Sequence, residues 1–239
     1  MRIARTKQDL LAACRVRALS YGHHLPQMYE MMLEPDLLDA DENTVVVLCV
    51  DKASGAAVGS ARFQTNVGGP LLIEHSVSVP ASIQTDSRAE ITRLSAVAGS
   101  DPLVRIALMK ASYLFCAASQ IRWMVICARK ESLIRQYRRL GFVDIFDDGQ
   151  LVPMRHVGRL EHKVLLLNVT AVERTWLDAK HALYDFFFDT SHPDIQLFST
   201  KPALPARDPM RMPAIAPFGV MAPRVSSQST ASSRPALIN

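Results

Sequence analysis

The sequence of 239 residues lacks the patterns that mark several large protein classes. No uncharged apolar run approaches the ~18 residues of a membrane helix, and the basic N-terminal stretch lacks the apolar core of a signal peptide. Four scattered cysteines form no CxxC pair and lie in apolar surroundings, which is typical of buried thiols in a reducing compartment. They are Cys14, Cys49, Cys116 and Cys127. These absences predict a cytoplasmic protein.

Most of the chain lacks a net charge. The 27 Lys and Arg residues and 23 Asp and Glu residues give a net charge of +4. Residues 200–239 hold five of the bases and one acid, so residues 1–199 are neutral, which argues against a nucleic-acid-binding domain. That last stretch also holds seven of the 14 prolines. We expect one domain over residues 1–199 and a disordered basic tail over residues 200–239, with at most weak membrane-surface contact.

The signatures of metal and nucleotide enzymes are also missing. The seven histidines form no HExxH pattern, so no metal site is predicted. The patterns GxSxG, GxxxxGK[ST] and GxGxxG do not occur, which removes the usual support for a serine hydrolase, a P-loop enzyme or a dinucleotide-binding domain. We therefore expect neither a metal nor a tightly bound cofactor.

What is present is an alternation of helical and extended patterns. The order is one helix, three strands, a helix, a strand, a helix and further strands, which predicts an α/β fold with a mixed sheet. The predicted helices span residues 6–19, 103–120, 131–140 and 172–188. The predicted strands span Thr44–Val50, 57–64, 89–97, Trp123–Ala128, 142–146 and part of 159–167, and residues 71–77 form a short strand or helix. Residues 21–43 form a long loop with one helical turn, a length that is usually functional or mobile.

Two opposite charges interrupt the third predicted strand, where Glu90 and Arg93 stand three residues apart. In a regular strand these positions face opposite sides of the sheet. Because an unpaired buried charge is strongly destabilising, each is expected to have a partner. One interpretation is that each forms a local ion pair that holds the sheet together. The other is that a β-bulge turns both side chains toward one cleft.

Other polar residues stand in apolar or structured surroundings. Arg62 lies inside an apolar strand after Gly59, as a buried cation that needs a carboxylate would. Tyr137 lies near a helix C-terminus, four residues before Gly141, and simple packing of an amphipathic tyrosine would explain it equally well. The acidic loop over residues 36–42 is consistent with a solvated surface.

Taken in order, these elements resemble the GNAT acyltransferase superfamily. They are Gly59-x-x-Arg62, Glu90-Ile91-Thr92-Arg93-Leu94, a long helix, a strand and Tyr137-x-x-Leu140-Gly141-Phe142. Within that superfamily, residues 10–195 look like the branch that contains the N-acyl amino acid synthases and the autoinducer (acyl-homoserine-lactone) synthases. The features that fit this branch are Asp36-x-x-Asp39, Arg15 or Arg17, and Tyr21. The stretch 183–188, followed by His192-Pro193, is closer to the N-acyl amino acid synthases.

The resemblance implies a mixed, mostly antiparallel central sheet flanked by helices. It also implies transfer of a long-chain fatty acyl group from an acyl-carrier-protein or acyl-CoA thioester to the amine of an amino acid or related compound. Glu90 would be the base and Tyr137 the acid that protonates the leaving thiolate. The expected substrate-binding residues are Arg62, Arg93, Leu94, Ala96, Val97, Arg17, and Asp39 or Asp41, which compete for one role.

Within this set the roles differ. The edge over residues 94–97 would hold the pantetheine arm by backbone hydrogen bonds. Arg62 and Arg93 would either hold acidic partners in the cleft or bind the carboxylate of the acceptor. Residues proposed to line an apolar tunnel for the acyl chain are also explained by core packing: Met109, Tyr113, Leu114, Trp123 and Val125.

The sequence departs from the superfamily at residues 99–105, where acetyl-CoA-using members carry a loop that holds the pyrophosphate. Pro102 has no N–H group and Asp101 repels phosphate, which argues against ordinary acetyl-CoA binding and is compatible with an acyl carrier protein as donor. A basic segment would dock that acidic carrier, with a solvated helix end as the alternative. It comprises Arg129, Lys130, Arg135, Arg138 and Arg139.

Two other functions remain open at this point. One is an acyl-homoserine-lactone synthase, whose acceptor is S-adenosylmethionine and whose by-product is methylthioadenosine. The other is a non-catalytic acyl-binding module that has kept the fold.

Overall fold

The computed structural model describes residues 1–146 and 149–198. The tail predicted over residues 200–239 lies outside the described residues. The described residues form an eight-stranded sheet with helices on both faces, which confirms the predicted fold class. The strands are β1 (Arg2–Ile3), β2 (Thr44–Val50), β3 (Ala57–Thr65), β4 (Arg88–Ala96), β5 (Trp123–Ala128), β6 (Val143–Asp144), β7 (Leu151–Met154) and β8 (Leu160–Asn168).

The order of the strands across the sheet is β1-β2-β3-β4-β5-β8, with β6 and β7 both paired to the outer edge of β8. β4 and β5 run parallel, and the other pairs of described strands are antiparallel. The sheet is therefore mixed and mostly antiparallel. Two strands escaped the sequence analysis: β1, with two residues, and β7, which contains Pro153 at the outer edge of the sheet.

The helices are α1 (Lys7–Gly22), α2 (Leu103–Ala118), α3 (Glu131–Arg139) and α4 (Val172–Asp178). α1 begins as predicted, because the Thr6 hydroxyl accepts the Asp9 N–H and the Asp9 carboxylate accepts the Thr6 N–H. The predicted loop between α1 and β2 contains three short 3₁₀ turns: Pro26–Met28, Glu30–Met32 and Leu37–Ala40. A further 3₁₀ turn over Leu72–His75 settles the open choice at residues 71–77.

The prediction of one helix over residues 172–188 is wrong. α4 ends in a Schellman motif, in which Lys180 has a left-handed φ of 49° and the His181 N–H reaches back to the Trp176 carbonyl. Glycine usually occupies the left-handed position, so Lys180 hides the stop signal. A single π-helical turn over Asp185–Asp189 follows, with the Thr190 N–H bonded to the Asp185 carbonyl.

The two faces of the sheet differ in chemistry. The face under α2, α3 and α4 is the main apolar core, formed by inward residues such as Phe63, Ile91, Met124 and Leu165. The opposite face, under α1 and the loops that precede β2 and β4, carries polar residues on the two central strands. Side chains alternate between the two faces of a strand, so every second residue of β3 and β4 lies in the apolar core. The residues between them form a polar layer on the opposite face.

Membrane-spanning helices, metal-binding groups and cysteine thiols were also searched for in the described part of the chain. Within residues 1–146 and 149–198, no helix is long and apolar enough to cross a bilayer. The same residues hold no group of three or more metal-binding side chains. The four cysteines are free thiols, with Cys14 and Cys116 buried and Cys49 and Cys127 half-buried.

Candidate functional site

The polar layer on the central strands is the part of the sheet with the most buried charge. On β3 it comprises Ser60, Arg62 and Gln64, and on β4 it comprises Arg88, Glu90 and Thr92. These residues follow the two-residue period of a strand, so they share one face. Their paired positions, such as Arg62 opposite Thr92 and Gln64 opposite Glu90, bring them into one cluster.

Glu90 is buried in this layer, with 1% of its surface exposed. One carboxylate oxygen accepts the N–H of Ile73 at 2.8 Å, which fixes the side chain against the loop that precedes β4. Burial raises the pKa of Glu90 to about 7, although the Ile73 N–H and the charge of Arg62 favour the ionised form. A carboxyl with this pKa exchanges a proton near neutral pH, as a general base must.

Arg93 reaches the same face through a β-bulge, as the second of the two interpretations predicted. Ser60 pairs with Ser95 and Arg62 with Thr92, so β4 has one extra residue between these pairs. Arg93 adopts a left-handed φ of 54° within this interruption. Its guanidinium then lies 3.2 Å from Asp36 and 5.9 Å from the ring centre of Tyr21.

Arg62 and Arg93 share the carboxylate of Asp36. Arg62 binds one oxygen of Asp36 at 2.5 Å, and Arg93 binds the other at 3.2 Å. Burial alone would raise the pKa of Asp36, but the charges of Arg62, Arg93 and Arg17 outweigh it and hold this pKa below its usual value. Asp36 is therefore ionised at neutral pH, and Arg62 has the carboxylate that its position predicted.

A second, deeper pair joins the helix α1 to the loop before β2. Arg17 donates to both oxygens of Asp39, at 2.9 and 2.7 Å, and Arg62 lies 3.4 Å from Asp39. The side chains of Arg17 and Asp39 are 2% and 1% exposed. Asp41 instead accepts the N–H of Asn43 at 2.8 Å in a turn. Of the two aspartates that competed for one role, the structure brings Asp39 into the cluster.

The sequence analysis missed several members of the polar layer and its cover as site residues, including Asp36 and Arg88. Asp36 begins the Leu37–Ala40 turn and holds two arginines. Arg88 binds Glu74 at 2.7 Å and three backbone carbonyls, and this clasp fixes the loop that carries Ile73. The available signal was the period of two in Arg88-x-Glu90-x-Thr92, which places Arg88 and Glu90 on one face.

The parallel strands β4 and β5 separate beside Glu90. Their ladder covers only Arg88–Ile91 and Trp123–Ile126, whereas β4 continues to Ala96 and β5 to Ala128. The two strands therefore open into a cleft, and the backbone of β4 beyond Ile91 faces it. This is the open edge that the sequence analysis expected over residues 94–97.

The three residues expected along this edge are not equivalent. Val97 donates its N–H to Val58 of the neighbouring chain segment, and its carbonyl accepts from Ser100, so its backbone is already bonded. Because hydrogen bonding alternates along an antiparallel strand, the backbone groups of Leu94 and Ala96 face the opposite edge, toward β5. Leu94 and Ala96 are the residues that the structure places at the cleft.

Tyr137 lies on α3 with 8% of its surface exposed. Its ring is 5.7 Å from the ring of Phe142, so it packs as the simpler interpretation expected. Burial raises the pKa of Tyr137, and Cys127 at the end of β5 is among the groups that influence it. The hydroxyl is therefore protonated at neutral pH, and the raised pKa makes it a weaker acid than an exposed tyrosine.

The N-terminus of α2 is capped by the side chain of Asp101. The Asp101 carboxylate accepts the Leu103 N–H at 2.8 Å, and Pro102 at the N-cap has no N–H. A helix N-terminus that is capped in this way offers little to a pyrophosphate. The geometry agrees with the departure from the acetyl-CoA loop that the sequence shows.

The five basic residues after β5 are all exposed, but their surroundings differ. Arg138 binds both oxygens of Asp144 at 2.9 and 3.0 Å, and Arg135 lies 3.7 Å from Glu131. Arg129, Lys130 and Arg139 have no ion pair with an acid in the described part of the chain. Positive charge without an ion pair in the described part of the chain therefore lies at Arg129, Lys130 and Arg139, and the first two are adjacent where β5 ends.

Comparison with solved structures finds the same fold in known proteins. FeeM, an N-acyl amino acid synthase from uncultured soil microbes, superposes with a TM-score of 0.56 at 14% identity, over 77% of this chain and 96% of FeeM. BjaI, a CoA-dependent acyl-homoserine lactone synthase solved with SAM and isopentyl-CoA, gives 0.55 at 18% identity, over 82% and 90%. The chain has the fold of these synthases.

The synthase fold agrees with the GNAT-like architecture expected from the sequence. TofI, solved with an inhibitor and MTA, superposes with a TM-score of 0.52 at 22% identity, over 74% of this chain and 97% of TofI. No protein-family model matches the chain, and no curated protein matches it. At these identities the likeness establishes the synthase fold, and the chemistry has to be argued from the site.

Proposed function

We propose that the protein is an N-acyltransferase that moves a fatty acyl group from a thioester to the amine of an amino acid or related compound. The observation that carries this proposal is the position of Glu90, a buried carboxyl with a pKa of about 7, beside the open cleft between β4 and β5. The synthase fold shared with FeeM and BjaI supports it.

The reaction needs three proton transfers around one acyl transfer. Glu90 takes a proton from the acceptor ammonium, directly or through water, and the neutral nitrogen attacks the thioester carbonyl carbon. The C–N bond forms, the nitrogen loses its second proton to solvent, and the C–S bond breaks. Tyr137 donates its proton to the departing thiolate and recovers one from solvent. The products are an N-acyl amide and a free thiol.

Arg93 is the candidate group for the acceptor carboxylate. It is the more exposed of the two arginines that hold Asp36, with 19% of its side chain accessible against 1% for Arg62. Its Nη1 atom donates to the sulfur of Met32, which is a weak acceptor. An amino-acid carboxylate would bind the guanidinium more strongly than this sulfur does.

The proposed reaction is tested by its product. Lipid extracts of cells that overproduce the protein are expected to contain a series of N-acyl amides, detected by mass spectrometry, which extracts of a Glu90→Gln strain lack. Identical extracts from the two strains would refute the proposal.

Two further measurements separate the other functions. Release of methylthioadenosine with an acyl-homoserine lactone would identify an autoinducer synthase, a reaction that the fold shared with BjaI supports. Tight binding of an acyl thioester by the purified protein, without turnover of any amine, would identify a binding module.

We further propose that the donor is an acyl carrier protein that docks at Arg129 and Lys130. The support is the concentration of unpaired positive charge there and the acid-capped N-terminus of α2. Reversing both charges, in Arg129→Glu/Lys130→Glu, is expected to lower kcat/KM for acyl carrier protein by about tenfold or more, because steering by charge is lost. Transfer from a small N-acetylcysteamine thioester is expected to be unchanged.

A matched control is Arg174→Glu, which reverses an exposed charge on α4 that lies 3.2 Å from Asp178. It is expected to affect neither donor. Equal losses on the carrier and on the small thioester in the double variant would show that Arg129 and Lys130 do not dock a carrier.

A further inference from the structure

The turn that joins β7 to β8 lies against the loop that holds Glu90. It contains a 3₁₀ turn over Arg155–Val157. The Arg155 N–H donates to the Ser76 hydroxyl at 3.0 Å, and Ser76 comes three residues after Ile73, whose N–H binds Glu90. A hydrogen bond therefore ties this turn to the segment that fixes the proposed base.

Packing holds the same turn from its other side. Val157 packs against an apolar cluster that contains Ile73 and Met154, the last residue of β7. His156, which lies between Arg155 and Val157, is exposed. The backbone is thus fixed on both sides of His156, while the residue itself remains accessible.

The apolar cluster that supports the turn also contains Trp123 and Val125, two of the residues proposed to line a tunnel for the acyl chain. The other three belong to the main core, on the face of the sheet opposite Glu90: Met109, Tyr113 and Leu114. The five residues therefore lie on both faces of the sheet, and those on the Glu90 face are part of the packing beneath His156.

The charges that act on the His156 ring come mostly from the candidate site. They are the charges of Arg93, His162, Arg62 and Asp36. Because Coulomb interactions weaken with distance and are screened by solvent, this set places the ring beside the two arginines that share Asp36. The β7–β8 turn therefore contributes a side chain to the polar cluster from a part of the chain that the sequence analysis did not connect with it.

The ring of His156 is uncharged at neutral pH. Partial desolvation and the positive charges of Arg93, His162 and Arg62 lower its pKa from the ordinary value of 6.5 to about 4, and Asp36 opposes them only in part. A neutral imidazole has one N–H donor and one acceptor nitrogen. Neither nitrogen has a hydrogen-bond partner within residues 1–146 and 149–198. The position therefore favours the addition of a negative charge that accepts a hydrogen bond.

Arg93 has the same requirement. Its Nη2 atom shares Asp36 with Arg62, but its Nη1 atom donates to the sulfur of Met32, a weak acceptor. A carboxylate has two oxygens, so one accepts from Arg93 while the other accepts from the N–H of His156. The added negative charge also raises the pKa of His156, and the ring that takes up a proton becomes a second cation for the same carboxylate.

We propose that His156 and Arg93 together bind the α-carboxylate of the acceptor, so that the enzyme selects an amino acid over the corresponding amine without a free carboxylate. The inference rests on the proposed acyl transfer for the existence of an acceptor. It goes further by requiring the free carboxylate and by naming His156 as a residue that recognises it.

The binding test follows the imidazole ring of His156 by NMR. The chain has seven histidines, and the variant His156→Gln identifies the signal of this one. The probes are the common L-amino acids and their methyl esters. At least one amino acid is expected to raise the pKa of His156 from about 4 toward 6.5, and its methyl ester is expected to leave this pKa at about 4. A pKa that stays at about 4 with every amino acid would contradict the inference.

The kinetic test uses decanoyl-N-acetylcysteamine as the donor and the same acceptors. The wild type is expected to prefer an amino acid over its methyl ester by about tenfold or more in kcat/KM. His156→Ala is expected to raise KM for the amino acid by about tenfold with kcat almost unchanged, because a contact to a bound charge is lost before and during the reaction. Its kcat/KM for the methyl ester is expected to stay at the wild-type value.

Two further variants separate recognition from a structural effect. His156→Gln keeps an N–H donor that cannot become a cation, so its KM for the amino acid is expected to be closer to that of the wild type at pH 8 than at pH 6. His75→Ala replaces an exposed histidine on the neighbouring Leu72–His75 turn and is expected to change neither KM. Thermal denaturation checks that all variants are folded.

The possible failures are distinguishable. Equal losses on the amino acid and its methyl ester in His156→Ala, or equal rates for the two acceptors in the wild type, would overturn the inference and leave acyl transfer intact. Absence of turnover with every acceptor would instead refute the proposed function, and the NMR titration then decides the binding inference alone.

Discussion

Replacing Glu90 by glutamine is expected to lower the rate of acyl transfer by at least about 10²-fold while making the protein more stable at pH 8. The rate falls because glutamine cannot take the proton of the acceptor ammonium. The stability rises because glutamine keeps an oxygen that accepts the Ile73 N–H but removes a carboxylate whose charge is disfavoured by burial. Initial rates and thermal denaturation measure the two effects.

The gain in stability depends on pH in a direction that the pKa determines. Burial raises the pKa of Glu90 from 4.5 to about 7, so between these values the folded protein holds a proton that the unfolded chain releases. Its contribution to stability is therefore full below about pH 4.5, falls as pH rises to about 7 and is constant above. We expect Glu90→Gln to gain of the order of 3 kcal/mol at pH 8 and nothing at pH 4.

The rate of acyl transfer by the wild type is expected to follow the same ionisation in the opposite direction, so that it rises with pH where the stability falls. Transfer rises with pH up to about pH 7, because only ionised Glu90 accepts a proton. Glu74→Gln is the contrasting variant: its carboxylate binds Arg88, so we expect it to lose stability. Because the charge of Glu74 helps to raise the pKa of Glu90, we also expect Glu74→Gln to keep its turnover and to move the pH profile toward lower pH. A Glu90→Gln variant with wild-type turnover would show that another group is the base.

The second large effect is expected at Asp39. Asp39→Ala removes the carboxylate that accepts both Arg17 hydrogen bonds. It leaves the Arg17 guanidinium without this partner in a site where the side chain is only 2% exposed. Loss of one member of a buried pair lowers the free energy of unfolding by about 3–5 kcal/mol. Urea denaturation at pH 7 measures this change.

Asp41→Ala is the matched control, because Asp41 is two residues away and its carboxylate accepts the Asn43 N–H in a turn. Its expected effect is about 1 kcal/mol or less. Adding Arg17→Met to Asp39→Ala removes the uncompensated cation and is expected to recover part of the loss. Equal effects of Asp39→Ala and Asp41→Ala would contradict the structural role of the buried pair.

The strands whose sequence is decided by burial were predictable to the residue. Thr44–Val50 and Trp123–Ala128 are uninterrupted apolar runs, and both coincide with β2 and β5. The end of α4 was not predictable, because its left-handed stop is Lys180 and no composition rule separates that lysine from an ordinary helical one. The sequence pattern of a helix shows where its apolar face begins. It does not show where the helix ends when the last turn is closed by a residue other than glycine in a left-handed conformation.

The site was predictable in its residue types and not in its connections. Buried charges were predictable, because Glu90, Arg93 and Arg62 stand within otherwise apolar strands. Which carboxylates compensate them depends on the fold of a long loop with little periodicity, so Asp36 was missed and Asp39 could not be separated from Asp41. The bulge at Arg93 was one of two open interpretations because the pattern of a strand does not show an extra residue.

The short ladder between β4 and β5 has a consequence for the cohesion of the molecule. Four residue pairs join two antiparallel blocks of the sheet, one ending at β4 and the other beginning at β5. Along the rest of this seam, the boundary between β4 and β5, the two strands form no backbone pairs. A donor whose amide-bearing arm bonds to Leu94 and Ala96 acts as a surrogate strand that extends the seam. On the proposed function the substrate is thus a temporary part of the architecture, and the loaded protein is a more continuous sheet than the empty one.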